Sequence, residues 1–299
     1  MNATDTAVAP ATNPRASAAT LQAAAPATPL RKRAARRSRY VLPGSGDSWR
    51  ISAVTVLMLL ALWWLVTGMG WIAPLFLPSP AATLDAFVAA LKGQTQGELP
   101  LYEHVLVSMS RVLSAFTLAV VTGVPLGIAM GTSRALRGIA DPLIEFYRPL
   151  PPLAYLPLIV IWLGIDESSK VTLIYLACLA PMTMAAKAGV RSVPIEQINA
   201  AFSMGATRWQ VTRMVVLPGA LPEVLTGMRI AIGFGWTTLV AAEMVAASSG
   251  LGQMVLNASN FLRTDVVIMG IVLIGLLACA FDLLIRRLER AMTPWKGRM

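Results

Sequence analysis

Long apolar stretches separated by short segments that hold most of the charge leave this chain few folds to choose from. They run approximately 51–69, 106–130, 149–164, 171–190, 222–246 and 264–285. A helix needs roughly 20 apolar residues to cross about 30 Å of hydrocarbon, and most of these stretches are close to that length. A soluble domain could not absorb them. With 56% hydrophobic and 13% charged residues, and a mean hydropathy of +0.64, there is too little charge to cover a 299-residue globule. In lipid the backbone must satisfy its own hydrogen bonds, which favours helices. The expected fold class is an all-α integral membrane protein with about six transmembrane helices.

The first stretch, Ile51 to Met69, is bracketed by Trp49 and Trp71. At helical rise their separation is about 33 Å, which suits two interfacial tryptophans on one spanning helix. A cleaved signal peptide competes with this reading, but the run starts late, is long and lacks a small-x-small exit. The third stretch is the weakest. It is short and carries Pro149, Pro151, Pro152 and Pro157, so it is expected to be broken or tilted and sheltered by neighbouring helices.

Residues 1–30 are rich in Ala, Pro and Thr, and the basic run Arg31, Lys32, Arg33, Arg36, Arg37, Arg39 follows. This reads as a disordered tail with a basic anchor suited to anionic lipid. The net charge of +10 does not point to nucleic acid, because the basic residues gather at the ends of apolar stretches rather than on one aromatic-bearing face. Their distribution sets topology. One side receives the tail, Arg134 with Arg137, Arg191, Arg208, Arg213 and the Arg286–Arg298 cluster. The other receives Lys92, Lys170 and Arg263, accompanied by Asp85, Glu98, Glu103, Asp166, Glu167 and Asp265. The positive-inside rule places both termini in the cytoplasm.

The 191–220 loop is polar, basic and punctuated for helix-turn-helix. Ser192 and Pro194 can open a first short helix, and Gly205 can end it in the left-handed conformation. Thr207 and Gln210 form a T-x-x-Q capping box for a second helix running toward Pro218. Two ordered helices in a loop between spans read as a docking surface.

Motifs for covalent chemistry are missing. There is no G-x-x-x-x-G-K-[ST], H-E-x-x-H or G-x-S-x-G, and no metal-ligand cluster. His104 is the sole histidine and reads as an interfacial polar residue; Cys178 and Cys279 read as packing residues. Gly123, Gly127 and Gly131 form a double G-x-x-x-G for close helix approach, with Pro125 inside it as a kink. The charges at or near membrane depth are Arg111, Glu145, Arg148, Arg229, Glu243 and Asp282. Glu145 with Arg148, and Asp282 with Arg286, have the spacing of local helical pairs. Arg229 has no acid three or four positions away. It either faces a water-filled path for an anionic solute, packs against the loop or pairs with an acid on another helix. Glu243 either selects solutes or caps the pathway mouth. A membrane-embedded enzyme using Glu243 or Asp282 as an acid is the reading of a different class, but no paired carboxylate, metal ligand set or nucleophile supports it.

The loop pattern, Ala200-Ala201, three residues, Gly205, nine residues, then Val215-x-Leu217-Pro218, resembles the cytoplasmic "EAA" loop of ABC-type importer permeases, with Asn199 at the family's acidic position. The likeness extends from about Glu103 to Trp295. Leu143–Lys170 (LIEFYRPLPPLAYLPLIVIWLGIDESSK) is similar to the subfamily that moves taurine, alkanesulfonates, nitrate and related small anions. Leu217–Met244 and the MTPW ending at Met292–Trp295 are closest to its taurine branch. The resemblance implies a type I ABC importer permease in the bacterial inner membrane, carrying taurine or a related alkanesulfonate, with nitrate or another small solute as alternatives. It also implies a second copy of this chain, a cytoplasmic ATPase dimer that binds the ATP, and a periplasmic solute-binding protein. No cofactor is expected on this chain itself. The ATPase-coupling residues it implies are Asn199, Ala200, Ala201, Phe202, Met204, Gly205, Leu217 and Pro218, with Arg229 and Glu243 as translocation-path candidates. Divided accordingly, the chain has a tail at 1–48, a first helix and outer segment at 49–105, a permease core at 106–290 containing the loop, and a tail at 291–299.

Overall fold

The computed structural model describes residues 49–94 and 99–295. The tail with its Arg31–Arg39 run, and Glu98, Lys296 and Arg298, lie outside the described residues. The described residues form eleven α-helices and no strand: α1 Trp49–Gly68, α2 Pro80–Leu91, α3 Leu101–Thr132, α4 Arg134–Tyr147, α5 Pro152–Leu163, α6 Glu167–Ser192, α7 Ile195–Ser203, α8 Arg208–Val211, α9 Leu217–Ala246, α10 Leu251–Asn260 and α11 Thr264–Met292, with a π turn at Thr212–Val216. The chain divides into two units between Ser52 and Ala53. In the described part of the first, the Arg50 guanidinium lies over the Trp49 ring.

α6 is the axis of the second unit, packed between α3 and α9. Small residues make this possible. A Cβ on Gly127 of α3 would collide with the Thr183 carbonyl and the Ala186 side chain, and one on Gly227 of α9 would collide with Ala185. The G-x-x-x-G repeat of the second apolar stretch therefore finds its partner in α6, where side-chain volume, not lipid exclusion, governs how closely helices approach. Between them sits a core of Val112, Ala115 and Ala119 from α3, Ile174, Cys178 and Met182 from α6, and Ala231, Ile232 and Trp236 from α9. Trp236 meets Phe281 of α11 edge-on at 5.9 Å. Cys178 is a buried packing residue whose thiol donates to the Ala231 carbonyl at 3.3 Å.

α3 and α6 run parallel, because Arg111 near the start of α3 binds Glu167 at the start of α6, while Gly131 near the end of α3 abuts Val190 near the end of α6. The connection between them must therefore return across the full depth of the bundle. That is the task of α4 and α5, which are bent by 104° at the Arg148–Pro151 break. The third apolar stretch is thus broken as expected: α5 fills its 152–163 part, and α4 precedes it across the bend, the pair together being apolar enough for a sixth span. The other stretches lie in α1, α3, α6, α9 and α11, five helices long and apolar enough to cross a membrane.

Two helices outside the stretches close one end. In α2, Ser79 accepts from the Ala82 amide at 3.2 Å and Pro80 opens the first turn. Ala86 and Ala90 of α2 pack with Leu101, with Leu251 and Met254 of α10, and with Val266 and Met269 of α11.

Candidate functional site

At the end of the bundle where α6 stops, α7 and α8 form the predicted helix-turn-helix. Gly205 takes φ +84, and the Ala206 amide reaches back to the Ala201 carbonyl at 3.1 Å, closing α7. Thr207 caps α8 with both halves of the box made: its backbone N–H donates to Gln210 Oε1 at 2.8 Å, and the Gln210 amide donates to Thr207 Oγ1 at 3.4 Å. Two details differ from the sequence reading. Ser192 does not open α7; it is the last residue of α6, and its hydroxyl donates to the Gly189 carbonyl at 2.9 Å. Nor does the second helix end near Pro218. It continues through the π turn into α9, a continuous run from Arg208 to Ala246. Pro218 has no N–H to return to the preceding turn, and the wider i→i+5 turn, with the Leu217 amide on the Thr212 carbonyl, accommodates it.

The loop residues divide by exposure. Ala201 is buried against Val190, Val211, Val216 and Ala220, fixing the loop to the ends of α6 and α9. Asn199, Ala200, Phe202, Met204, Gly205, Leu217 and Pro218 are exposed. Met204 is 82% exposed, and Trp209 and Met214 add to an apolar surface that nothing among the described residues covers.

Arg229 and Glu243 both lie on α9 and are not brought together. Arg229 binds Asp282 of α11 at 3.0 Å and reaches Glu289 at 3.7 Å, while Asp282 also holds Arg286 at 2.7 Å. The interhelical pairing is the one of its three readings that the geometry realises, and the local Asp282–Arg286 pair forms as expected. Glu243 is fully buried in a network the sequence reading did not assemble. Arg111 Nη1 donates to Glu243 Oε1 at 2.8 Å and to the Ser249 carbonyl at 2.7 Å. Its Nε and Nη2 make a bidentate pair with Glu167 at 2.6 Å, and Lys170 joins Glu167 at 2.9 Å. Ser108 Oγ donates to Glu243 Oε1 at 2.7 Å and accepts the Leu251 amide at 2.9 Å; the Gly252 amide donates to Glu243 Oε2 at 2.8 Å. The first turn of α10 thus gives one free amide to the carboxylate and one to the serine that binds it, an arrangement a helix N-terminus favours. Gly250, at φ +125, is held there by space as well, since a Cβ would strike the Glu243 carboxyl.

His104 belongs to this end and is buried rather than interfacial. Its Nδ1 accepts the Gly250 amide at 3.0 Å, and its Nε2 has no partner among the described residues. The expected Glu145–Arg148 pair does not form. α4 ends at Tyr147 and the chain turns there, so the Arg148 guanidinium lies toward α6, against Met184 Sδ at 3.5 Å. The signal for the buried network was present in two opposite charges inside apolar stretches, but their separation of 132 positions is invisible to helical spacing. No group of residues able to hold a metal ion occurs among the described residues.

The fold and the site thus define a membrane helix bundle packed around α6, with a basic helix-turn-helix exposed at one end. The chain belongs to the family of binding-protein-dependent transport system inner membrane components, which it matches over residues 123–294. It is 51% identical over 249 residues to the Taurine transport system permease protein TauC of Escherichia coli (strain K12), covering 83% of this chain and 90% of that one. It is 35% identical to the putative aliphatic sulfonates transport permease protein SsuC of the same organism, covering 90% and 95%. The fold is similar to a chain of the MetNI methionine ABC transporter in an inward-facing conformation, with a TM-score of 0.57 and 20% identity, over 64% of this chain and 96% of that one. The protein is therefore a multi-pass ABC transporter permease of the bacterial inner membrane, from a family that works with a solute-binding protein.

Proposed function

We propose that this permease carries taurine, or a closely related alkanesulfonate, inward across the membrane, and that two copies of it form the pathway. The observation that supports the solute most is the 51% identity to a taurine permease across most of both chains. The 29% identity to the nitrate import permease NrtB of Synechocystis keeps small inorganic anions as a weaker second reading.

In this reading the loop end faces the cytoplasm, as the positive-inside rule requires. Phe202, Met204 and Trp209 dock on an ATPase, which binds the ATP; this chain carries no cofactor of its own. Ala201 and Gly205 hold the docking helix at a fixed angle. The unbroken run from α8 through α9 gives a push on the loop a stiff path to mid-membrane. The Arg111–Glu243 end faces the periplasm and receives the solute from the binding protein. Arg229 and Glu243 then act by fixing α9 against α11 and α3, rather than by touching solute.

Uptake of labelled taurine by cells with and without this chain tests the reading, with ethanesulfonate, sulfate and nitrate as competitors. Loss on deletion, restored by the wild type and competed by ethanesulfonate but not nitrate, is the expected result. Unchanged taurine uptake in cells lacking a second route would overturn the solute assignment.

A further inference from the structure

Two of the three arginines at or near membrane depth, Arg148 and Arg229, exchange the roles that the sequence suggests for them. Arg229, without a local acid, is neutralised by Asp282 and Glu289 across the helix interface. Arg148, with Glu145 three residues away, has no carboxylate partner among the described residues. An intramembrane cation left without a counter-charge is costly unless it faces water or an anion, so its surroundings are informative.

Arg148 lies at the break between α4 and α5, and the break opens a cavity of about 560 Å³. Its wall includes Tyr147, Tyr155, Pro181, Met184 and Phe234 beside Arg148 itself. The cavity is at mid-depth: Ala180 and Pro181 stand halfway along α6, and Ile230 and Phe234 halfway along α9. The sequence creates it with proline. Pro149, Pro151 and Pro152 prevent the chain from continuing as one helix, and Pro181 withholds an amide from the opposing α6 turn. The lining is largely apolar, with few polar groups, and those converge. The Tyr147 hydroxyl donates to the Leu176 carbonyl, and its oxygen lies 3.3 Å from the Tyr155 hydroxyl. Because Tyr147 has spent its proton, Tyr155 is the donor of this pair, and its hydroxyl can turn that proton from the Tyr147 oxygen toward a guest.

We infer that this cavity is a transmembrane solute subsite for a small alkanesulfonate, in which the Arg148 guanidinium holds the anionic head and the Tyr155 hydroxyl donates to a second oxygen. The inference rests on the proposed function and adds the residues that meet the solute inside the membrane. A planar guanidinium offers parallel N–H donors to two sulfonate oxygens. The faces of Tyr155 and Phe234 suit the other end of the molecule, whether alkyl or an ammonium attracted to a ring. The volume lies within the range of small-molecule sites and is ample for a guest of this size. No carboxylate lines the cavity to compete for the arginine.

The test uses the permease reconstituted in liposomes with its ATPase and binding protein. Arg148→Ala is expected to lower the taurine carried per ATP hydrolysed by about tenfold, the scale of one charge-assisted hydrogen-bond pair, and Arg148→Lys by much less. An equal ratio, or a fall of transport and hydrolysis in proportion, overturns the subsite. A second measurement does not depend on taurine being the solute. With Cys178→Ala and Cys279→Ser, a cysteine at Tyr155→Cys is labelled with a 2-sulfonatoethyl methanethiosulfonate and with a neutral analogue. The anionic reagent is expected to gain a rate advantage of about tenfold that Arg148→Gln removes. The same ratio with and without the arginine sinks the inference. A wild-type complex that carries no taurine while this ratio still responds to Arg148 sinks the solute assignment alone.

Discussion

The two ends of the bundle handle their polar groups in opposite ways. At the Arg111 end, a guanidinium that is 1% exposed, two glutamates, a lysine, a serine and two amides from the first turn of α10 satisfy one another inside the chain. At the loop end the helices are just as well capped, but Phe202, Met204, Trp209 and Met214 stand in the open. The charges of the first end are saturated by one another, with His104 Nε2 left over, and its groups serve the fold. The second is ordered but incomplete, which is how a surface looks when its partner is another chain. In the proposed function both ends are needed for the bundle to work as a lever: one holds while the other is moved.

Removing a charge from the saturated end gives the largest expected effect. Glu243→Ala leaves Arg111 buried with Glu167, whose side chain is 60% exposed, as its only carboxylate, and strips Ser108 and the Gly252 amide of their acceptor. Breaking a buried pair on one side costs about 3–5 kcal/mol, and Glu243→Gln should cost less because it keeps acceptor oxygen. Thermal unfolding of the detergent-purified permease measures this. A wild-type melting temperature for Glu243→Ala would mean that the two ends do not differ in the way described.

A smaller effect on stability, with a larger one on function, is expected at Gly205. Its φ of +84 leaves open space where a side chain would go, so Gly205→Val meets strain rather than a clash. A β-branched residue in the left-handed region costs about 1–2 kcal/mol, relieved by refolding the α7–α8 turn. The variant should reach the membrane in normal amounts yet copurify poorly with its ATPase and lose taurine uptake. If it instead melted as early as Glu243→Ala, the loop would belong to the folded core and not to an interface.

The same contrast explains what could be read from the sequence. The spans and the loop caps were legible because both are local: apolar length marks a span, and Thr207 with Gln210 or the lone Gly205 marks a helix end within a few residues. Pairing across helices was not. Spacing of three or four suggested Glu145 with Arg148 and left Arg229 alone, whereas the bend after Tyr147 separates the first pair and antiparallel packing supplies Asp282 to the second. Likewise α2, α4 and α10 are too short or too polar to register as spans, and their places depend on the ends of α3, α9 and α11.

The finest distinction between the two ends concerns hydrogen bonds of similar length in different surroundings. Thr207 donates its backbone N–H to Gln210 Oε1 at 2.8 Å, and the Gly252 amide donates to Glu243 Oε2 at the same distance. The first bond is exposed, so in Gln210→Ala water takes over the acceptor role, and the loss is limited to about 0.5–1 kcal/mol of helix-start stability. Amide hydrogen exchange at Thr207 through Val211 should quicken several-fold while exchange around Gly250 and Gly252 does not change, and uptake should fall by less than about twofold. The buried bond has no such substitute, and its loss propagates to Arg111 and Glu167. Faster exchange at Gly252 in the Gln210 variant would show that α9 transmits even this small loosening from one end of the bundle to the other, making the stiff connection itself, rather than the docking surface, the sensitive element of the lever.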